Sequence, residues 1–351
     1  MTAPDICFVP ADGRPFDIGH RHGAIRAAAL RRFLGDGLAR LGPLLGRTVS
    51  LDDVRPVIAA HDRAITTALP ALAAELDGLA EGAGISREEA VLLQIRRELM
   101  GYRTLRPTGD CTTYARSEPS AGGPAVLAQT VDLSGNLDDN IAVLDISGVS
   151  GGRSLLLSFA GLLGYLGLNS AGLAVGLNLV LGGRWRPGVP PYLAIRHVLD
   201  LANSVDEAIE VLATMSLASS RSFMLCDETK AAWVETLEDR QRVHVGPRLV
   251  HTNHYLHPDL TAHDRINPFA RRSSLRRLDA GERRLTMLSP SAEAADHFGA
   301  LGAEPIRVPD LGDIRRERTV ATVVMFPGRR ELHLKPGGSR SAVAQCFALP
   351  A

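Results

Sequence analysis

Apolar residues in the first hundred positions recur at helical spacing. In residues 24–34, Ile25, Ala29 and Phe33 fall four apart, and Leu30 and Leu34 widen the stripe, so a helix is predicted there. Ser50-Leu51-Asp52-Asp53 caps a second helix, and residues 70–83 carry Leu72, Leu76 and Leu79 on one side of a third. Ser86-Arg87-Glu88-Glu89 is a capping box opening a fourth, which turns Val91, Leu92, Ile95 and Leu99 inward. After residue 111 the period shortens. Residues 112–115, 125–128, 141–146, 154–159 and 173–179 alternate or run apolar between Gly/Ser/Asn turns, and they predict antiparallel strands, the first two as a hairpin. Helices follow at 190–201 and after the capping box at Ser204, then strands at 222–226 and 231–235. Residues 249–255 form a strand end carrying polar groups. Residues 256–318 are polar and arginine-rich with helical patches at 270–286 and 290–301, and a hairpin spans 319–334. Strands between two sets of helices predict stacked α and β layers, with the strand order left open.

Composition narrows the classes. A chain of 351 residues with 45% hydrophobic residues can bury a large core. Its 39 basic residues balance 39 acidic ones, and clusters such as Arg315-Arg316 are short, so no nucleic-acid partner is expected. No apolar run approaches the ~18 residues of a membrane span, and the start has no signal-like pattern. A soluble, cytoplasmic protein is the expectation. The four cysteines, Cys7, Cys111, Cys226 and Cys346, lie far apart with no CxxC pair, which suggests neither a zinc site nor a disulfide framework.

The candidate chemistry centres on Cys111, which follows a Gly-Asp pair at the head of a strand: Thr108-Gly109-Asp110-Cys111-Thr112-Thr113-Tyr114. Alone, such a cysteine reads as a small buried hydrophobe. Its company is more specific. In order, the chain carries Glu75-Leu76-Asp77-Gly78-Leu79-Ala80-Glu81-Gly82-Ala83-Gly84, Val91 to Glu98, the cysteine, Gln129-Thr130-Val131-Asp132, Ala160-Gly161-Leu162-Leu163-Gly164, Leu168-Asn169-Ser170-Ala171-Gly172-Leu173 and His251-Thr252-Asn253-His254. This series resembles the penicillin acyltransferase family of N-terminal nucleophile hydrolases.

The resemblance implies an α+β fold, a four-layer αββα sandwich, and a precursor that cuts itself between Asp110 and Cys111. Residues 1–110 would become an α chain and residues 111–351 the catalytic β chain, together one domain and an αβ heterodimer. The family's best-known member has glycine where Asp110 stands. Cys111 would be the nucleophile and its freed α-amine the base, since such an amine titrates at about 7.7–8.0. Asp132 falls where the family keeps an aspartate near that amine, and Asn253 and Asn169 are candidates for the oxyanion pocket. Thr112, Arg318 and Gln129 are further site candidates; relatives in the bile-acid amidase branch carry arginine at the position of Gln129. His251 and His254 leave open a papain-like pairing with Cys111. The implied activity is hydrolysis of a linear amide, with two alternatives: acyl transfer to an amine, including from acyl-coenzyme A, or a non-catalytic protein on the same fold. No metal or other cofactor is implied.

Overall fold

In the computed structural model, which describes residues 6–101, 111–118, 120, 122–148, 151–337 and 342–350, the chain opens with a strand that the hydropathy pattern does not signal. This is β1 (Cys7–Gly13); Pro10 sits within it because β1 lies at a sheet edge. Then come α1 (Pro15–Gly35), α2 (Leu41–Leu45), α3 (Leu51–Ala68), α4 (Pro70–Ala83) and α5 (Arg87–Met100). The capping boxes at Ser50 and Ser86 both form. Strands β2 (Thr112–Arg116), β3 (Val126–Leu133), β4 (Ile141–Gly148), β5 (Arg153–Phe159), β6 (Leu166–Asn169) and β7 (Ala174–Leu179) follow. Next are α6 (Pro191–Leu201), α7 (Val205–Ala213), β8 (Arg221–Cys226), β9 (Ala231–Leu237), β10 (Arg240–Val245) and β11 (Arg248–His251). The arginine-rich stretch resolves into α8 (Pro258–Thr261), α9 (Pro268–Met287) and α10 (Ala294–Leu301), and the chain closes with β12 (Arg318–Phe326), β13 (Glu331–Pro336) and β14 (Gln345–Ala348).

The strands form two sheets. One has eight strands in the order β1-β4-β5-β6-β7-β8-β9-β10, antiparallel except for the parallel β1–β4 pair. The other has six antiparallel strands, β11-β2-β3-β12-β13-β14, and contains the expected β2–β3 hairpin with Tyr114 opposite Ala128. The sheets face each other: β2 and β3 pack on β7 and β8. Helices α1 and α6 cover the outer face of the larger sheet and α9 and α10 that of the smaller. The result is an αββα sandwich. Among the described residues, no helix is long and apolar enough to cross a membrane.

The leading helices are locked to this sandwich by close packing. A β-carbon on Gly19 would lie 1.8 Å from the Glu75 carbonyl oxygen, and one on Gly78 would lie 2.0 Å from that of Phe16, so α1 and α4 touch backbone to backbone. The glycine-flanked run at 78–84 is therefore a helix-packing signature. Gln94 on α5 donates to Gly161 O (2.9 Å) and accepts from Leu163 N (3.1 Å), pinning the glycine-punctuated loop at 160–164. Two motifs far apart in sequence are thus one contact.

Candidate active site

Cys111 stands at the head of β2, 5% exposed, and its thiol donates to the Asp132 carbonyl at 3.8 Å. Its own carbonyl accepts from Asn178 Nδ2 (3.1 Å) on β7 and from Arg277 Nη1 (2.7 Å) on α9. The backbone of Cys111 is thereby held from both sides of its sheet. The next amide, Thr112 N, donates to Thr130 Oγ1 (3.1 Å), which donates to Asp132 Oδ2 (3.1 Å). Asp132 is 4% exposed, and its Oδ1 has no hydrogen-bond partner among the described residues. Burial pushes its carboxyl up to about 7, against the stabilising effects of Thr319, Arg277 and Thr130.

Asn253 reaches the same cavity from the segment after β11. Its Oδ1 accepts from Arg277 Nη2 (2.9 Å) and its Nδ2 donates to Leu179 O (3.0 Å), which fixes the orientation of the amide. Arg277 also donates to Thr112 Oγ1 (3.0 Å) and is fully buried. It is the residue that the sequence does not single out. Arg271, Arg272, Arg276, Arg283 and Arg284 share its helix, and only the seating of α9 against β2 and β11 decides which one turns inward. Tyr165 completes the wall beside the thiol, stacked on Tyr192 with ring centroids 5.2 Å apart.

Several sequence-derived candidates lie elsewhere. Asn169 is not in the cavity wall: its Nδ2 donates to Leu199 O (3.0 Å) and Ala202 O (2.7 Å) and its Oδ1 accepts from Leu173 N (3.1 Å), so the amide ties the end of α6 to the β6–β7 turn. Arg318 pairs with Asp138 and Asp310 at the base of β12. Gln129 bridges the sheets, donating to Leu177 O (2.7 Å) and accepting from Leu177 N (2.9 Å). The Thr112 hydroxyl serves as the acceptor for Arg277. The histidines are committed as well: His251 bonds Glu235 (2.8 Å) and Thr252 O (2.9 Å), and His254 Nδ1 faces Ser274 Oγ (2.7 Å). Burial pushes His254 down to about 4. A papain-like pairing is not what these contacts describe. Asp110 falls outside the described residues.

Next to the thiol's cavity lies a second compartment, which shares Arg97, Leu133, Ser134, Tyr165 and Tyr192 with it. Its other walls are mostly apolar, among them Phe33, Leu93, Phe159 and Leu162, with Arg96 as a further charged group. Arg96 is 9% exposed, bonds Ala39 O through Nε (2.8 Å), and has an Nη2 with no partner among the described residues; Arg97 Nη2 is unpartnered as well.

A family model described as acyl-coenzyme A:6-aminopenicillanic acid acyl-transferase matches residues 120–330. The chain belongs to this family. The matched span takes in Asp132, Arg277 and Asn253 and begins just after β2. A relative within the same description, the 40 kDa form of acyl-coenzyme A:6-aminopenicillanic-acid-acyltransferase from Emericella nidulans, is 26% identical over 266 residues, 74% of this chain and 72% of that protein. Two solved structures are also similar. One is an N-acylethanolamine-hydrolyzing acid amidase orthologue from Caenorhabditis elegans (18% identity, 62% of this chain and 93% of the other, TM-score 0.48). The second is a penicillin V acylase from Agrobacterium tumefaciens (18%, 68% and 86%, TM-score 0.48).

Proposed function

We propose that this family member is a self-processing cysteine amidohydrolase. The observation that carries the reading is the Oδ1 of buried Asp132, which has no hydrogen-bond partner among the described residues and lies beside a thiol whose backbone is clamped by Asn178 and Arg277. A cationic α-amine on Cys111 is the partner that this oxygen lacks.

In processing, Sγ adds to the carbonyl carbon of residue 110. The S–C bond forms as the C–N bond to Cys111 breaks, and the nitrogen takes the thiol proton. Water then splits the thioester, leaving a carboxylate on the α chain and a free amine on Cys111. In turnover that amine takes the thiol proton, Sγ attacks the substrate amide, and the amine returns the proton to the leaving nitrogen. Asn253 Nδ2, held by the grip of Arg277 on Oδ1, is the side-chain donor for the tetrahedral oxyanion, and Arg277 is a positioning residue. Water on the resulting thioester releases the acid.

Residues 1–110 and 111–351 stay together in this reading, because β1 is a strand of the larger sheet and buried ion pairs cross the cut, Glu75 with Arg196 (2.8 Å) and Glu98 with Arg221 (3.2 Å). The second compartment suits a substrate with an apolar body and an anionic group, since two buried guanidinium nitrogens there lack acceptors among the described residues. Acyl transfer to an amine, including from an acyl-coenzyme A, is the second reading, favoured by the description of the family.

Intact mass and peptide mapping test the core of this. Wild type is expected as two pieces, the second beginning Cys-Thr-Thr-Tyr, with amide turnover against an N-acyl panel, and Cys111→Ala as one inactive chain. Turnover by full-length wild type, or by Cys111→Ala, overturns the proposal. Added hydroxylamine, trapping hydroxamate in place of acid, reads out how freely an amine takes the acyl group.

A further inference from the structure

Away from the cavity, at the β13–β14 edge of the smaller sheet, three side chains of metal-ligating type converge. Glu331 and His333 lie two apart on β13, hence on one face of the sheet, while Leu332 and Leu334 between and beyond them are buried on the opposite face. Cys346 on β14 is the direct cross-strand partner of His333. The strand register therefore brings together three donors that sequence spacing does not reveal.

His333 Nε2 meets Glu331 Oε2 at 3.0 Å and Cys346 Sγ at 3.7 Å, so a carboxylate and a thiol point at one ring nitrogen, which carries either a proton or a lone pair. One candidate ligand atom from each of the three residues lies within 4.8 Å of the other two. Around a tetrahedral zinc with bonds of about 2.0–2.3 Å, neighbouring N and O ligands sit about 3.4 Å apart and N and S about 3.5 Å. The His333–Glu331 and His333–Cys346 spacings are near these edges, and the third, between Glu331 and Cys346, is no more than 4.8 Å. The Phe326 ring lies edge-on to the His333 imidazole, with centroids 5.6 Å apart, and fixes its position.

We propose that Glu331, His333 and Cys346 form a three-ligand site for a borderline-soft divalent cation such as Zn2+, with the outward position left to water. An S, N, O donor set suits Zn2+ or Co2+ better than Mg2+ or Ca2+. Binding deprotonates the Cys346 thiol and releases that proton to solvent, so the thiolate and the carboxylate balance the dication. The consequence is mechanical. Phe347, next to Cys346, stacks on Phe8 of β1 at 5.7 Å, so fixing β14 also ties the edge of the smaller sheet to the edge of the larger one.

The test titrates Co2+, then Zn2+, into metal-free, untagged full-length protein. One equivalent of Co2+ is expected to give a thiolate-to-cobalt charge-transfer band in the near ultraviolet, which Zn2+ abolishes. The band is lost in Cys346→Ser and weakened at least tenfold in affinity in Glu331→Gln. Zn2+ is expected to raise the Tm of wild type by about 3 °C or more and to leave that of Cys346→Ser unchanged. Absence of the band in wild type, or its survival in Cys346→Ser through another thiol, overturns the site. Cys346 is exposed, so its replacement by serine spares the fold, and His333→Ala gives an independent check on the same band.

Discussion

Replacing Asp132 by asparagine in an uncleavable chain tests the idea that this carboxyl waits for an amine. In the intact chain its burial pushes the carboxyl up to about 7; Thr319, Arg277 and Thr130 oppose the shift, and Glu317 adds to it. A folded-state pKa above the unfolded value of about 3.9 means that the folded chain holds the proton more tightly. Its stability is therefore full below about pH 4 and falls as pH rises towards 7, where the loss levels off. At 1.36 kcal/mol per pH unit, a gap of about 3 units sets a ceiling of about 4 kcal/mol on that loss. Asparagine cannot ionise, so it removes the slope. Urea unfolding of Cys111→Ala and of Cys111→Ala/Asp132→Asn at intervals from pH 4 to 8 measures it directly. The double variant is expected to gain about 2–4 kcal/mol relative to the single one between pH 4 and 7 and nothing more above that. If wild type is processed as proposed, the new α-ammonium is expected to supply the missing partner, lowering the carboxyl pKa and removing the slope. Parallel profiles for the two uncleavable chains, agreeing within about 0.5 kcal/mol, would refute the buried-acid argument, and an undiminished slope in processed enzyme would refute the pairing with the amine.

Other expectations follow from the same geometry. Asn253→Ala should lower kcat by about 10²–10³-fold, while Asn169→Ala should lower Tm, through three lost backbone contacts, and leave kcat within about threefold. Urea titrations and steady-state assays on the two variants separate these roles. Arg277→Met leaves buried acceptors on Thr112 and Asn253 unmatched, each a loss of about 1–3 kcal/mol, and Arg277→Lys should recover part of the stability but little of the kcat, because an ammonium cannot reproduce the two-pronged contact. The pieces on either side of Cys111 should co-elute in size-exclusion chromatography and part only in denaturant; separation in plain buffer would count against the shared sheet. Arg96→Met should raise KM for N-acyl substrates bearing a carboxylate by tenfold or more and leave KM for the matching neutral amides unchanged.

Much of the architecture can be read from local pattern. The capping boxes at Ser50 and Ser86, the leucine stripe of α4 and the β2–β3 hairpin each depend on residues a few positions apart, and all form where periodicity and turn chemistry place them. Cys111 and its ordered companions were also visible, as a family likeness. What pattern could not give was direction across the layers. Asn169 and Asn253 are both asparagines next to small or polar turn residues, and nothing local says that the first ties down a helix end while the second lines the cavity with Cys111. Arg277 is one of six arginines on a polar helix, and the packing of α9 alone buries it against Cys111. Strands such as β1 and β14 owe their pairing to neighbours more than a hundred residues away or to an edge left open, so their own short sequences carry little signal. Hydrophobic spacing along the chain determined which segments are helix and which are strand, because that is a matter of which face each segment must bury. The site itself was decided by long-range contacts between two sheets and a helix, because a buried polar group takes its role from whichever partner the packing sets before it.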